Sequence, residues 1–311
     1  MKKLITIATL VMVACGITNG QQRPIHSLYM FDPLLINPAY VGTQVQLSGT
    51  AIYRNQWVNF PGAPKTFTAS AHTGFKKERV GVGFLVGNDQ IGIHSENSLY
   101  LMYAYKIPLS RFNTSKSSLS FGLQGGFNNL KSDFTKLNPK ELLDPYASLV
   151  ERNLSWNFGA GLYYRSPKFY AGISIPYLMN NTVVNVENLS SLAKQSRYYY
   201  LTAGFTHQLS AAVKLLPSTL IRIQEQAPLS FDLNLMTVLY EVVGLGVSYR
   251  LDDSVVGLFE LQLNENFHVG YAYDVTTSDL RLYSNGTHEI MINYRVKINK
   301  WHKGIKCPSY W

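Results

Sequence analysis

The chain has 311 residues, of which 46% are hydrophobic and 13% aromatic but only 15% charged, with a formal net charge of +9. Soluble domains contain ~25% charged residues, so the composition argues against an ordinary soluble domain. A mean hydropathy of −0.04 is too low for a bundle of membrane helices. Many aromatics, few charges and neutral hydropathy are together typical of a barrel with an apolar outside and a polar inside. The basic residues are scattered rather than clustered, so nucleic-acid binding is not predicted.

Residues 1–20 have the pattern of a secretory signal peptide, with two early lysines, an apolar stretch and small residues before a cleavage site at Gln21. The apolar stretch over residues 4–14 is shorter than the ~20 residues that a spanning helix needs. Lipidation at Cys15 is an alternative, which Met12 disfavours because it fits a lipobox poorly. We therefore expect export through the inner membrane and removal of the signal peptide.

Residues 21–44 separate the predicted signal peptide from the first predicted strand. Pro33 and Pro38 break regular backbone pairing in this stretch and favour an extended or turning chain. We expect a periplasmic N-terminal segment here, or one folded into the lumen of the barrel that follows. Its predicted role is to plug the pore partly or to dock a periplasmic partner.

Period-two alternation of apolar and polar residues begins near residue 45 and continues to residue 298. In residues 228–238, for example, Leu229, Phe231 and Leu233 share one face while polar residues occupy the other. Such alternation predicts strands with one face in apolar surroundings. The prediction is an all-β fold, a transmembrane antiparallel β-barrel of about fourteen strands. The segments are residues 45–56, 64–76, 79–88, 95–106, 117–129, 152–165, 168–177, 197–209, 212–223, 228–238, 242–250, 254–263, 266–275 and 286–298.

Charges within these segments all fall on the polar face by parity, as expected where an Arg or Lys facing lipid would cost ~2–4 kcal/mol. They are Arg54, Arg79, Lys106, Arg165, Lys168, Lys214, Arg222, Asp232, Arg250, Glu260, Asp274, Glu289, Arg295 and Lys297. Aromatic residues of the apolar face gather near both ends of the strands, like the two interfacial belts of membrane barrels. A soluble β-sandwich would also keep charges off its inner face and is the structural alternative.

The predicted connections alternate between short and long. If the N-terminus is periplasmic, most periplasmic turns are short, and the longest connections, 130–151 and 178–197, lie outside the cell. This is the pattern of bacterial barrels. The exception is the long inner connection 106–117.

Signatures of enzyme or metal chemistry are missing from the sequence. No two histidines have the i, i+4 spacing of a zinc helix, and no Gly-x-Ser-x-Gly or Walker motif occurs. After signal removal, Cys307 is the one remaining thiol, so no internal disulfide is expected. No cofactor, metal site or enzymatic activity is predicted. A Ser–His pair assembled across strands, as in barrel hydrolases, stays open as an alternative.

The most specific stretch precedes and includes the first two predicted strands. It begins Tyr29-Met30-Phe31-Asp32-Pro33-Leu34-Leu35-Ile36-Asn37-Pro38-Ala39-Tyr40-Val41-Gly42, and continues with Tyr53-Arg54-Asn55-Gln56-Trp57, Pro61-Gly62-Ala63-Pro64, Ser70 and His72. This stretch resembles the PorP/SprF family of type IX secretion system membrane proteins. The resemblance extends to the C-terminal tail, residues 299–311. Asp32 and Val41 depart from the Asn and Ala that are common in the family.

The resemblance implies an outer-membrane barrel of a Gram-negative bacterium that serves the type IX secretion and gliding machinery. It also implies three kinds of partner: outer-membrane lipid, a periplasmic ring lipoprotein with its partner protein, and a secreted surface adhesin with a C-terminal targeting domain. The family provides no catalytic residues. A passive channel for small solutes is the alternative function.

Candidate residues for contacts with a plug or partner follow from the family motif and from strand parity. Arg54 and Gln56 are predicted to point into the lumen, where they could anchor the N-terminal segment or simply fill space. The complete set is Asn37, Pro38, Ala39, Tyr40, Arg54, Gln56 and Trp57.

Overall fold

The computed structural model describes residues 25–44, 46–75, 79–109, 117–136, 150–180, 197–224 and 228–296. The predicted signal peptide and C-terminal tail lie outside these ranges. The strands are β1 Leu47–Asn55, β2 Lys65–Phe75, β3 Val80–Ile91, β4 His94–Pro108, β5 Ser118–Asp133, β6 Val150–Arg165, β7 Phe169–Ile175, β8 Tyr198–Phe205, β9 His207–Gln208, β10 Val213–Gln224, β11 Ser230–Leu239, β12 Val243–Arg250, β13 Ser254–Gln262, β14 Phe267–Thr276 and β15 Thr287–Val296. Four short 3-10 helices, Pro33–Leu35, Pro38–Tyr40, Phe134–Lys136 and Asp279–Leu282, complete the elements described.

These strands form one closed antiparallel sheet. Neighbours in sequence pair with each other, and β1 pairs with β15 to close the wall. Both β8 and the two-residue β9 pair with β10, so they share one position, and the barrel has fourteen strand positions. The predicted all-β antiparallel barrel is confirmed, and each predicted segment overlaps one position in the wall.

The two faces of the wall have the polarity of a membrane barrel. Outward-facing apolar side chains are exposed, with Leu101 at 66%, Leu123 at 62% and Trp156 at 59%. Inward-facing charged side chains such as Arg165 and Glu289 are buried. A soluble sandwich would bury its apolar face instead, so this distribution rules out that alternative.

Four neighbouring strands, β3 to β6, extend further than the alternation predicts. β3 and β4 continue through a turn at Gly92, whose φ is +56°, and β5 continues to Asp133. Polar residues occupy both faces of these extensions, and Asn88 Nδ2 donates to Asn97 Oδ1 at 2.8 Å across the β3–β4 ladder. Because both faces contact water, the hydrophobic period disappears although the backbone pairing continues.

Two charges assigned to strands lie in turns instead. Arg79 precedes β3 and Lys168 precedes β7, and both side chains are exposed. Strand parity therefore does not apply to them. Among the residues described, no helix has the length and apolar character needed to cross a membrane.

The connections differ in length at the two ends of the barrel. At one end short turns join β6 to β7, β11 to β12 and β13 to β14, and at the other end β5–β6 and β7–β8 have the longest connections. Bacterial barrels have short periplasmic turns and longer external loops. We therefore call the end with the long connections the outer mouth and the opposite end the inner end.

Candidate functional site: the lumen segment

Residues 25–44, called here the lumen segment, lie inside the barrel rather than beside its periplasmic end. Every side chain in the segment except Leu35 and Gln44 is buried. The two prolines each begin a 3-10 turn, where the missing N–H needs no partner. Asn37 caps the second turn by accepting a hydrogen bond from the Ala39 N–H at 2.9 Å. These local signals explain why the stretch folds compactly instead of adding a strand.

The start of the lumen segment is bonded to residues near the outer mouth. The N–H groups of Ser27 and Leu28 each donate to one carboxylate oxygen of Glu289 at 2.9 Å. Glu289 lies two residues after the start of β15, at the end of the strand that adjoins the outer mouth. His26 contacts Thr68 of β2 at 3.0 Å. This end of the segment is therefore fixed to the outer half of the wall.

An ion network surrounds this attachment. Arg54 of β1 donates to Glu289 at 2.7 Å and to Asp274 of β14 at 3.0 Å. The Ser27 hydroxyl accepts from Arg54 at 2.9 Å and donates to Asp274 at 2.7 Å. All four side chains are buried. Charge-assisted hydrogen bonds of this kind are stronger than neutral ones and fix geometry, so the network holds the segment in one position.

The end of the lumen segment is bonded to residues near the inner end. The Gly42 N–H donates to His72 Nδ1 of β2 at 3.1 Å, and its carbonyl accepts from the Lys106 ammonium of β4. Arg165, the last residue of β6, donates to the Thr43 carbonyl at 2.7 Å. The lumen segment thus passes through the barrel from the outer mouth to the inner end, where β1 begins.

The middle of the segment is fixed by polar contacts to several strands. The Asn37 amide donates to the Leu162 carbonyl of β6 at 3.0 Å, and Ser174 of β7 donates to the Ile36 carbonyl at 2.5 Å. Asn234 of β11 donates to the Tyr29 hydroxyl at 2.6 Å. These contacts tie the middle of the segment to one part of the wall, from β6 to β11.

Apolar side chains of the segment pack in two clusters. The first joins residues of its first half, including Leu28 and Met30, to inward-facing apolar residues of β1, β8, β10, β11, β13, β14 and β15. The second joins Leu34, Ala39, Tyr40 and Val41 to Leu85, Tyr100, Met102, Ala104, Tyr163 and Tyr170. Tyr40 meets Tyr163 edge to face, with ring centroids 5.5 Å apart. Burial of these apolar side chains stabilises the docked segment through the hydrophobic effect.

Glycines in the wall allow the backbone of the segment to approach closely. A Cβ atom on Gly122 would overlap the backbone of Ala39, and one on Gly81 would overlap the carbonyl of Val41. Gly42 itself has a φ of +67° and lies against Gly81. Here two backbones touch where any larger residue would push them apart.

We expect Gly122→Ala to lower the free energy of unfolding by about 1–3 kcal/mol, because the added methyl group meets backbone atoms that cannot rotate away. Gly257→Ala is the matched control, since a Cβ there meets nothing within 4 Å. Urea unfolding in detergent micelles measures both effects. Equal stability of the two variants would contradict the close approach.

Asp32 fixes the segment to β2. Its side chain is buried and accepts a hydrogen bond from the Ser70 hydroxyl at 2.5 Å.

The structure separates the predicted site residues into three places. Asn37, Pro38, Ala39 and Tyr40 are buried in the second 3-10 turn. Arg54 faces the lumen in the ion network near the start of the segment. Gln56 and Trp57 follow the end of β1 in an outer loop, both half-buried, and the Trp57 N–H donates to Thr287 Oγ1 at 3.1 Å. Gln56 is therefore not a strand residue, and its predicted parity does not apply.

Several residues that hold the segment were missed as site candidates. Ser27 is an ordinary residue in sequence, while Asp274 and Glu289 were recognised only as inward-facing charges. Some strands carry apolar residues on both faces, such as Val256 and Leu258 on the inner face of β13. This pattern could have indicated that a protein segment covers the inner wall. In the described part of the chain, no group of three or more His, Cys, Asp or Glu side chains is arranged to hold a metal ion.

A closed fourteen-stranded wall with an apolar exterior and buried charges inside defines an outer-membrane β-barrel protein. The sequence matches the family described as type IX secretion system membrane protein PorP/SprF over residues 18–294. The chain belongs to this family, as its sequence resemblance predicts.

Comparison with other proteins supports the fold. No curated protein matches the sequence. The solved structure of the CymD monoaromatic hydrocarbon channel is similar, with 14% identity, a TM-score of 0.53 and coverage of 91% of this chain and 96% of that one. The Ralstonia pickettii toluene transporter TbuX has 11% identity, a TM-score of 0.47 and coverage of 90% and 96%. At such identities the likeness to CymD concerns the fold alone. The family is described as a membrane protein family and CymD as a channel, and neither description names an enzyme.

Proposed function

We propose that this barrel is an outer-membrane anchor of the type IX secretion and gliding machinery. In this role it holds a periplasmic ring lipoprotein and its partner protein, and it serves the secretion or surface attachment of an adhesin with a C-terminal targeting domain. Family membership supports a role in the type IX secretion machinery. The lumen of the barrel supports the choice of an anchor over a passive channel.

The observation that carries this choice is the apolar part of the inner wall. Ile52, Leu220, Met236, Val256 and Met291 face inward and are almost completely buried beneath the lumen segment. Water-filled barrels have polar interiors. An inner wall with this apolar surface matches a permanent protein occupant better than a stream of solutes.

The polar contacts support the same choice. Buried ionic groups such as Arg54 and Glu289 are stable only while their hydrogen bonds are complete. In this structure the Ser27 and Leu28 N–H groups each donate to Glu289, and the Ser27 hydroxyl accepts from Arg54. We therefore propose that the lumen segment is a resident plug and that partners bind on the ends of the barrel rather than passing through it.

Affinity purification from native outer membranes, followed by mass spectrometry, tests the anchor. We expect the barrel to capture periplasmic ring components. Lys168 is an exposed cation in a turn at the inner end, and Arg281 is an exposed cation in the 3-10 helix Asp279–Leu282 at the outer mouth. Lys168→Glu should weaken capture of periplasmic proteins, and Arg281→Glu, its matched control, should not. A barrel that purifies alone would favour the passive channel.

A further inference from the structure

The outward faces of β2 to β6 carry a polar row close to the outer mouth, called here the basic row. Its members lie directly opposite one another on successive strands and are Lys65, Gln90, Ser95, Lys131 and Arg152. Lys131 has the parity of Leu123, whose side chain is exposed on the outside of the wall. Arg152 has the parity of the exposed Trp156. The basic row therefore faces the membrane side of the barrel.

The rows beneath the basic row change from amide to apolar side chains. Two residues nearer the middle of each strand the outward positions are Phe67, Asn88, Asn97, Asn129 and Leu154, and two residues further they are Ala69, Val86, Leu99, Phe127 and Trp156. The rings of Phe127 and Trp156 meet edge to face with centroids 5.6 Å apart. Aromatic residues occupy such positions at the interfaces of membrane barrels.

The spacing of these rows places the basic row among lipid head groups. Lys131 lies four residues beyond Phe127 on β5, which is about 13 Å along the strand and about 10 Å in height at a tilt of ~40°. Hydrocarbon gives way to head groups over this distance at a bilayer surface. The cations thus lie above the apolar chains of the lipid, and the amides lie between the cations and the chains.

The charges of the basic row are not balanced by the protein. Lys131 and Arg152 are directly opposite each other on β5 and β6, and like charges in this arrangement are unfavourable. Lys131 donates to Asp133 at 3.2 Å and keeps 41% of its side chain exposed. Within the described residues, Arg152 is exposed and has no ion-pair partner. The other acids described in these strands have the opposite parity and are Asp89, Glu96 and Glu151.

The basic row is confined to one side of the barrel. At the outer ends of β10 to β14 the outward positions are apolar or aromatic, and they are Ile223, Phe231, Tyr249, Val255 and Val275. Those strands cross the same membrane without a cation at this height. A basic row on β2 to β6 is therefore not a requirement for crossing the membrane, and it indicates a specific ligand.

We propose that the basic row and the amides beneath it bind a glycolipid of the outer leaflet whose sugars carry phosphate groups. Phosphate oxygens accept hydrogen bonds from the Lys131 ammonium and the Arg152 guanidinium, and they relieve the repulsion between the two cations. Sugar hydroxyls meet the amides of Asn88, Asn97 and Asn129, and the acyl chains lie on the apolar row below. Each part of the lipid meets side chains of matching chemistry at its own height. This inference does not depend on the anchor role.

Native mass spectrometry of the purified barrel in detergent micelles tests the site, with bisphosphorylated lipid A as the probe. The test variant is Lys131→Gln combined with Arg152→Gln. Its matched control is Lys168→Gln combined with Arg281→Gln, which removes two exposed cations that lie outside the basic row. Heat-dependent gel migration confirms that each variant is folded.

We expect parent and control to bind lipid A equally, and the test variant to bind it roughly 10- to 30-fold more weakly because two cations near an anionic lipid are removed. Dephosphorylated lipid A should bind the parent as weakly as lipid A binds the test variant. Equal binding of lipid A by parent and test variant would overturn the proposal, and so would an equal loss in test variant and control. Phosphatidylglycerol bound as tightly as lipid A would make the row a site for any anionic lipid, and displacement of lipid A by inorganic phosphate would make it a site for a free anion. Either result contradicts a glycolipid site.

Discussion

Replacement of Arg54 by methionine is expected to lower the free energy of unfolding by about 3–5 kcal/mol, the cost of removing one partner from a buried ionic group. Arg54 is buried and contacts Asp274 at 3.0 Å and Glu289 at 2.7 Å. Without it, two carboxylates lie close together in the lumen without their cation. The start of the lumen segment should loosen as well, because Ser27 loses a hydrogen-bond donor.

Urea unfolding in detergent micelles measures this effect, and two controls define its cause. Lys131→Met removes a half-exposed ion pair with Asp133 and should change stability by at most ~1 kcal/mol. A triple variant, Arg54→Met with Asp274→Asn and Glu289→Gln, removes the whole charge set and should recover part of the loss. An Arg54→Met barrel as stable as Lys131→Met would show that the network does not hold the fold.

The wall of the barrel was predictable because its physical cause is local. Each strand meets hydrocarbon on one face, so its residues alternate with period two wherever it crosses the membrane. Leu233 and Leu235 point outward, and Asp232 and Asn234 point inward, as the alternation predicts. Where β3 and β4 extend into water, both faces are polar and the period disappears. The alternation therefore predicts strands that end before those in the structure do.

The content of the lumen could not be predicted in the same way, because its contacts join distant parts of the chain. Ser27 and Asp274 are separated by 247 positions, and Ser27 and Glu289 by 262. No local period reports such pairs. Inward-facing Ile52 and Met291 depart from the polar interior that the alternation predicts, and they form the apolar floor on which the segment packs.

The family motif illustrates the same limit. Pro38 predicts an extended or turning chain beside Asn37 and Ala39, and the structure has a capped 3-10 turn there. What that turn touches depends on wall residues more than 80 positions away in sequence, such as Gly122 and Leu162. Motif recognition therefore located the segment without revealing its depth in the barrel.

Deletion of residues 24–40 is expected to give the largest change in function, the conversion of a blocked barrel into an open one. The deletion removes most of the lumen segment, including both prolines and the residues bonded to Glu289. The wall strands pair with one another, and β1 begins after the deletion, so the ladder itself stays complete. Water would then fill the space that the segment leaves between the charged parts of the inner wall.

Single-channel recording in planar bilayers measures this change, and the parent should conduct far less than the deletion variant. Arg54→Met, which keeps the segment but loosens its outer attachment, should give brief openings between these extremes. Equal conductance of parent and deletion variant would refute the plug. Capture of periplasmic proteins by the deletion variant then separates two roles of residues 24–40. If the variant conducts ions and still captures its partners, these residues have no part in docking. If the variant conducts ions and captures no partners, the docking surface includes residues 24–40. The apolar floor around Ile52 and Met291 favours the first result, because among residues 25–40 every side chain except Leu35 is buried in the lumen.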